Sequence, residues 1–175
     1  NFFFHNDCSL SEINDVEQCI SKWKSSDSFF EFETSGSSGK PKRIEFSRDQ
    51  IISSIKSTSE KFSFFKGMRS ALALSTGSIG GALMVFRAIE WEMDFQVLPV
   101  RRQIQWLGNL DFLALVPQQA ILISPDNYKN LKTVLIGGSP LLKTQENYLS
   151  DVPSQIFHAF GMTETTQALT VAVPN

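Results

Sequence analysis

The sequence predicts an α/β fold: a mostly parallel sheet with helices on both faces. Strand-length, continuously apolar runs recur at Ala71-Leu72-Ala73-Leu74, Phe95-Gln96-Val97-Leu98, Asp111-Phe112-Leu113-Ala114-Leu115-Val116 and Thr133-Val134-Leu135-Ile136. Helix-period segments lie among them, and glycine, proline or hydroxyl residues stop most of the runs. Strands that read apolar throughout are buried on both sides, as happens when helices cover a parallel sheet above and below.

Taken in order, residues 11–24 place Ile13, Val16, Ile20 and Trp23 at intervals of three and four, which predicts an amphipathic helix with Ser11 as N-cap. Ser25-Ser26-Asp27-Ser28 breaks it. Phe29-Phe30-Glu31-Phe32 and Arg43-Ile44-Glu45-Phe46 alternate as strands do. Ser47-Arg48-Asp49-Gln50 has the form of a capping box and opens a helix to about Phe64, with Ile51, Ile52, Ile55 and Phe62 inward. Ile79 to Met93 reads as a helix, Leu141 to Leu149 as a short one, and Gln155 to Ala159 and Leu169 to Val173 as strands. The resulting division is an N-terminal helical segment, 1–28, followed by a core over 29–175. No fixed-period repeat is visible.

The chain has 175 residues, is 42% hydrophobic and carries a net charge of −2. That is enough to bury one core, and it excludes electrostatic capture of nucleic acid or an anionic membrane. Cys8 and Cys19 form neither a CxxC pair nor a disulfide framework, so both are expected as reduced thiols in a cytoplasmic protein. The longest apolar runs fall short of a membrane span, and no basic-then-apolar leader is seen. His5 and His158 lack ligand-spaced partners, so a histidine metal site is not expected.

Between the first two strand-like segments stands Glu33-Thr34-Ser35-Gly36-Ser37-Ser38-Gly39-Lys40-Pro41-Lys42. Its glycines let backbone approach an anion, its hydroxyls and N–H groups donate, and its lysines bring positive charge, so it reads as a phosphate-holding loop. A Walker loop is disfavoured. Only Ser37 and Ser38 separate Gly36 from Gly39, and Pro41 follows Lys40 where a Ser or Thr opening a helix is required. A plain Ser/Gly hairpin turn explains the same letters, so other motifs must weigh in.

In open α/β sheets, ligands bind beyond the carboxyl ends of strands. Three segments there stand out. Thr76-Gly77-Ser78 leads into Ile79-Gly80-Gly81. Gly137-Gly138-Ser139-Pro140 offers bare backbone against which a flat ring can lie, and it also reads as a turn with Ser139 as N-cap and Pro140 at the first helical position. Phe160-Gly161-Met162-Thr163-Glu164-Thr165 combines an aromatic ring, a glycine, a hydroxyl and a carboxylate. Phe160 can stack on a base, Thr163 can donate to phosphate, and Glu164 can hold Mg²⁺, which prefers oxygen ligands shared with phosphates.

Thr34 through Lys42 resembles the phosphate-loop signature of the adenylate-forming superfamily, which includes acyl-CoA synthetases, luciferases and peptide-synthetase adenylation domains. Phe160 through Thr165 resembles its aromatic-Gly-Met-Thr-Glu motif, and Val134-Leu135-Ile136-Gly137-Gly138-Ser139-Pro140-Leu141 resembles its adenine-side turn. The likeness spans about residues 29–173, with the motifs in the family's order. Ile79 through Met84 leading to Arg87-Ala88, with Asp111 through Gln119, is most similar to the small o-succinylbenzoate-CoA ligases of menaquinone synthesis. Phe160 stands where the family usually has tyrosine, and Ser37 and Ser38 where threonines are frequent.

The resemblance implies an AMP-forming acid-thiol ligase that uses ATP, Mg²⁺ and coenzyme A on a small carboxylic acid. Lys40, Thr163 and Glu164 would be catalytic, with Glu164 on the metal. Thr34 to Lys40 would hold the β- and γ-phosphates, Thr163 the α-phosphate. Phe160, Gly161, Met162 and the Gly137 to Pro140 turn would border the nucleotide. Thr76, Gly77, Ile79, Gly80 and Gly81 would border the acyl group. Arg87 is expected either to bind a second substrate carboxylate or to be paired at a helix surface. The chain does not reach the family's ribose-binding aspartate, hinge or lysine-bearing carboxyl-terminal domain, so it is expected to be an incomplete fragment. Two alternatives stay open: a non-catalytic nucleotide-binding module, and a structural or interaction domain.

Overall fold

Parallel strands cannot be joined by tight turns, so each apolar run must be followed by a crossover that returns the chain to the starting edge. The computed structural model has this form, and it describes residues 1–34, 42–160 and 169–172, with Thr34, Lys42, Phe160 and 169–172 described as backbone alone. The strands are β1 (Phe2–Phe4), β2 (Phe29–Thr34), β3 (Lys42–Ser47), β4 (Arg69–Leu72), β5 (Asp94–Val97), β6 (Leu110–Leu115), β7 (Leu131–Ile136), β8 (Gln155–Phe160) and β9 (Leu169–Ala172). The helices are α1 (Leu10–Lys24), α2 (Arg48–Phe62), α3 (Ile79–Glu90), α4 (Pro117–Ala120), α5 (Pro125–Tyr128) and α6 (Lys143–Ser150).

Among the described residues the main sheet has seven strands in the order β1-β5-β4-β6-β7-β8-β9. Every neighbouring pair is parallel except β8 with β9. Strands β2 and β3 form a separate antiparallel hairpin, from Phe29↔Ser47 to Thr34↔Lys42. The chain leaves β4 for β5 on one side and then crosses to β6 on the other. The carboxyl ends of β4 and β6 therefore flank a topological switch point, where such sheets bind ligands.

Side-chain alternation divides the core in two. On β6, Phe112 and Ala114 pack into the layer that holds α1, α2, α3 and the hairpin, while Leu113 and Leu115 pack into the layer with Ala120, Tyr128 and Leu149 from α4, α5 and α6. This is the predicted covering of both faces.

Several boundaries differ from expectation. Helix α1 is capped by Ser9, not Ser11, because Ser9 and Glu12 close a capping box: the Ser9 N–H donates to Glu12 Oε2 (2.8 Å), and the Glu12 N–H donates to Ser9 Oγ (3.2 Å). Ser11 has Asn14 three residues on, with no carboxylate to return the bond. The box predicted at Ser47 and Gln50 is present. Residues 1–28 contribute strand β1 as well as a helix; three residues are too short to show a period. Short α4 and α5, each with proline at its start, were unreadable for the same reason. Among the described residues, no helix is long and apolar enough to cross a membrane.

Candidate functional site

The site is assembled from loops that follow parallel strands. After β4, the segment 73–78 folds back on the first turn of α3. Ser78 caps that helix by accepting from the Gly81 N–H (3.2 Å), while its own Oγ donates to the Ser75 carbonyl (2.7 Å). The contact is closer than any side chain allows: a Cβ on Gly81 would lie 2.1 Å from the Ser75 carbonyl oxygen. Thr76, Ile79 and Gly80 are half-buried around this turn, Gly77 is exposed, and Gly81 is buried beneath it.

After β7, the Gly137 N–H donates to the Leu115 carbonyl (2.9 Å) and so extends the ladder from β6 by one bond. Gly138 then turns the chain at φ 85°, a left-handed conformation that favours glycine, and a Cβ there would lie 3.4 Å from Val116 Cγ1. Ser139 does not cap a helix. Its carbonyl lies 3.1 Å from Nε2 of buried His158 on β8, and α6 begins only at Lys143, where Gln145 Oε1 accepts from the Leu142 N–H. The turn through Pro140 is thus longer than predicted, and His158 is a partner that no motif announced.

The loop Ser35 to Pro41, including Gly36, Ser37, Ser38, Gly39 and Lys40, lies outside the described residues, as do Gly161, Met162, Thr163 and Glu164; Thr34 and Phe160 are seen as backbone at the ends of β2 and β8. The arms of the first loop, β2 and β3, are anchored in the core. Phe30, Phe32 and Phe46 are buried in the helix-bearing core, with Ile44 packed against it. Phe30 lies beside Trp23 and Phe86, at ring-centroid distances of 5.7 and 5.4 Å. The Arg48 guanidinium covers both Trp23 and Phe30 at 4.9 Å and donates to the carbonyls of Trp23, Ser25 and Asp27. Sequence reasoning missed this clamp because Arg48 sat inside a capping signal, and its partners come from another element.

Arg87 is neither at a surface nor ion-paired among the described residues. It is 5% exposed, donates to Thr58 Oγ1 (3.0 Å), and its Nε has no partner there. The apolar α2–α3 interface disfavours the cation and pulls its pKa down to about 10. The guanidinium is still charged at neutral pH in both folded and unfolded chains. Its desolvation cost is therefore present there and is relieved only as pH rises through about 10. Arg87→Met is expected to leave neutral-pH stability unchanged or raise it by about 1 kcal/mol, since apolar replacements of buried charge are often stabilising. Chemical denaturation at pH 7 and 10.5 checks this; a loss above 2 kcal/mol at pH 7 would contradict it.

The strand order sets the carboxyl ends of β4, β6, β7 and β8 side by side along one sheet edge. Solved structures share this frame. The acyl-CoA synthetase (AMP-forming)/AMP-acid ligase II-like protein of Dyadobacter fermentans is 27% identical with a TM-score of 0.83, covering 98% of this chain and 51% of its own. The o-succinylbenzoate CoA synthetase of Bacillus subtilis, in complex with its acyl-adenylate intermediate, is 20% identical with a TM-score of 0.68 over 82% of this chain and 31% of its own, a likeness of fold. The D-alanine–D-alanyl carrier protein ligase of Listeria innocua is 25% identical over 92% of this chain. This chain spans about a third of that relative's length, 34%. Residues 7–175 match the AMP-binding enzyme family from within the helix-forming amino-terminal segment to the last residue, and the chain belongs to that family.

Proposed function

We propose that the protein carrying this chain is an ATP-dependent carboxylic acid ligase. A substrate carboxylate oxygen attacks the α-phosphorus of ATP; the bond to the β-phosphate breaks, and pyrophosphate leaves. The thiol of coenzyme A then attacks the acyl carbon of the adenylate, and AMP departs. In such chemistry the protein chiefly positions the reactants and neutralises developing charge.

The observation that carries this reading is that the segment after β4 and the turn after β7, whose sequences resemble the family's acyl-side and adenine-side segments, leave the same carboxyl edge of the sheet on either side of β6, in a chain of the AMP-binding enzyme family. Gly137 and Gly138 would suit a flat purine because they present backbone without a side chain; a Cβ would lie 3.5 Å from Ala159 Cβ at the first and 3.4 Å from Val116 Cγ1 at the second. Phe160 would flank the ring together with Gly138 and Ser139. The Thr34 to Lys40 loop would hold the β- and γ-phosphates at the tip of the hairpin, and Thr163 the α-phosphate. Glu164, a hard oxygen donor, would hold Mg²⁺, which supplies charge neutralisation at the phosphates when bound. Thr76, Gly77, Ile79, Gly80 and Gly81 would border the acyl group.

An aromatic diacid such as o-succinylbenzoate is the first candidate, from the likeness at Ile79 to Ala88 and Asp111 to Gln119 and from the shared fold. A carrier-protein thiol in place of coenzyme A is the second reading for the acceptor, favoured by the carrier-protein ligases among the relatives. Both cysteines are free thiols, which suits the reducing cytoplasm where such enzymes would work.

Acid-dependent exchange of pyrophosphate into ATP, measured on the full-length protein with o-succinylbenzoate, benzoate and D-alanine, tests the reaction. Lys40→Ala and Glu164→Ala are each expected to weaken Mg-ATP binding about tenfold to a hundredfold, as loss of a charged contact does, without unfolding the protein. Normal affinity in both would remove the phosphate assignment.

A further inference from the structure

We infer that Gln119 is a positioning residue for acid binding, its buried amide tying the acyl-side segment after β4 to the segments after β5 and β6; this rests on the ligase reading above. Gln119 is the third residue of α4 and is 4% exposed. Its Nε2 donates to the carbonyls of Ala73 (2.7 Å) and Arg101 (2.9 Å), and its Oε1 accepts from the Val116 N–H (3.2 Å). Ala73 and Val116 directly follow β4 and β6, and Arg101 lies on the segment after β5.

The position is the switch point itself. The β4–β6 ladder consists only of Ser70↔Phe112 and Ala71↔Leu113, whereas β6 stays paired with β7 through Leu115↔Ile136. Beyond Ala71 the β4 backbone has left its β6 partner, and the Gln119 amide occupies the place a ladder would fill. Few side chains can do this. Two donors and an acceptor on one plane are needed, and a carboxylate brings no donor while a lysine or arginine brings no acceptor.

The loop so held carries Thr76 and Gly77. Its far end closes where the Ser78 N–H (3.1 Å) and Oγ (2.7 Å) both donate to the Ser75 carbonyl, and its near end is held by Ala73. A loop fixed at both ends presents one shape to an acid, and the same amide reaches Arg101, which also pairs with Asp7. Loosening Gln119 should therefore disturb acid recognition more than nucleotide recognition, since the adenine-side turn after β7 keeps its own bonds to Leu115 and His158.

The test uses Gln119→Glu, which keeps the acceptor for Val116 but faces two carbonyls without a donor, and Gln119→Met, which brings no charge and carries the test should the first not fold. In the full-length protein, pyrophosphate exchange with o-succinylbenzoate, benzoate and D-alanine is expected to show the acid KM raised at least tenfold and the ATP KM changed less than threefold. Amide hydrogen exchange over 73–78 is expected to accelerate at least tenfold, and the 137–140 turn to stay unchanged. Unaltered exchange over 73–78 would overturn the tether, and equal shifts in both KM values would reduce Gln119 to a general structural role. No acid-dependent exchange in the unsubstituted protein would instead overturn the ligase reading, and this inference with it.

Discussion

Trp23→Ala is expected to cost about 3–5 kcal/mol of stability, the range for truncating a large buried aromatic, and to weaken Mg-ATP binding although Trp23 belongs to no phosphate motif. The indole stacks on Phe86 at 4.3 Å with planes 20° apart, donates from Nε1 to Glu90 Oε1 (2.9 Å), and lies under the Arg48 guanidinium. One side chain thereby joins α1 to α3 and to the base of the β2–β3 hairpin. Removing it leaves Phe30 and Arg48 facing a void, while the arms that carry the Ser35 to Pro41 loop lose their hold on the core. Denaturant unfolding read beside an ATP titration checks this. A destabilised variant that binds Mg-ATP as tightly as the parent would show that the hairpin holds its loop without this clamp.

Gly81→Ala is expected to destabilise the protein, whereas Gly80→Ala, one residue earlier in the same helix, is not. At Gly81 a methyl group would meet the Ser75 carbonyl oxygen at 2.1 Å and its carbon at 2.6 Å, both backbone atoms that cannot turn aside. Relief requires moving the 73–78 segment or unwinding the first turn of α3, so a cost near the upper end of about 1–3 kcal/mol is expected, with acid binding impaired as Thr76 and Gly77 shift. At Gly80 the nearest atom is Leu74 Cδ1 at 3.6 Å, an ordinary contact. The helix preference for alanine over glycine, worth up to about 1 kcal/mol in a helix interior and less in this first turn, then dominates, and Gly80→Ala should be neutral to stabilising. Thermal unfolding of the pair decides it: equal melting temperatures would mean the close approach at Ser75 yields at little cost.

Much of the frame was legible because periodicity is local. The apolar runs of β4 to β8 and the capping box at Ser47 are statements about residues a few positions apart, and the sheet and helices followed from them. The three motif loops were legible for the same reason, as short strings of unusual chemistry. The Ser9 cap was missed because Ser11 offered a competing start, and the Ser139 cap failed because Gly138 turns the chain and the Ser139 carbonyl engages His158 instead.

Composition and pattern thus determined an α/β layer structure and its approximate elements, while the Thr34, Gly137 and Phe160 segments carried a resemblance to the adenylate-forming superfamily. Strand order, the switch point between β4 and β6, the Trp23–Arg48 clamp, the buried cation at Arg87 and the three-way tie at Gln119 were decided only in three dimensions. Each joins groups distant in the chain, Gln119 to Ala73 across 46 positions among them. Local preference cannot encode such pairings; packing and the need to satisfy buried polar groups select them once the sheet has formed.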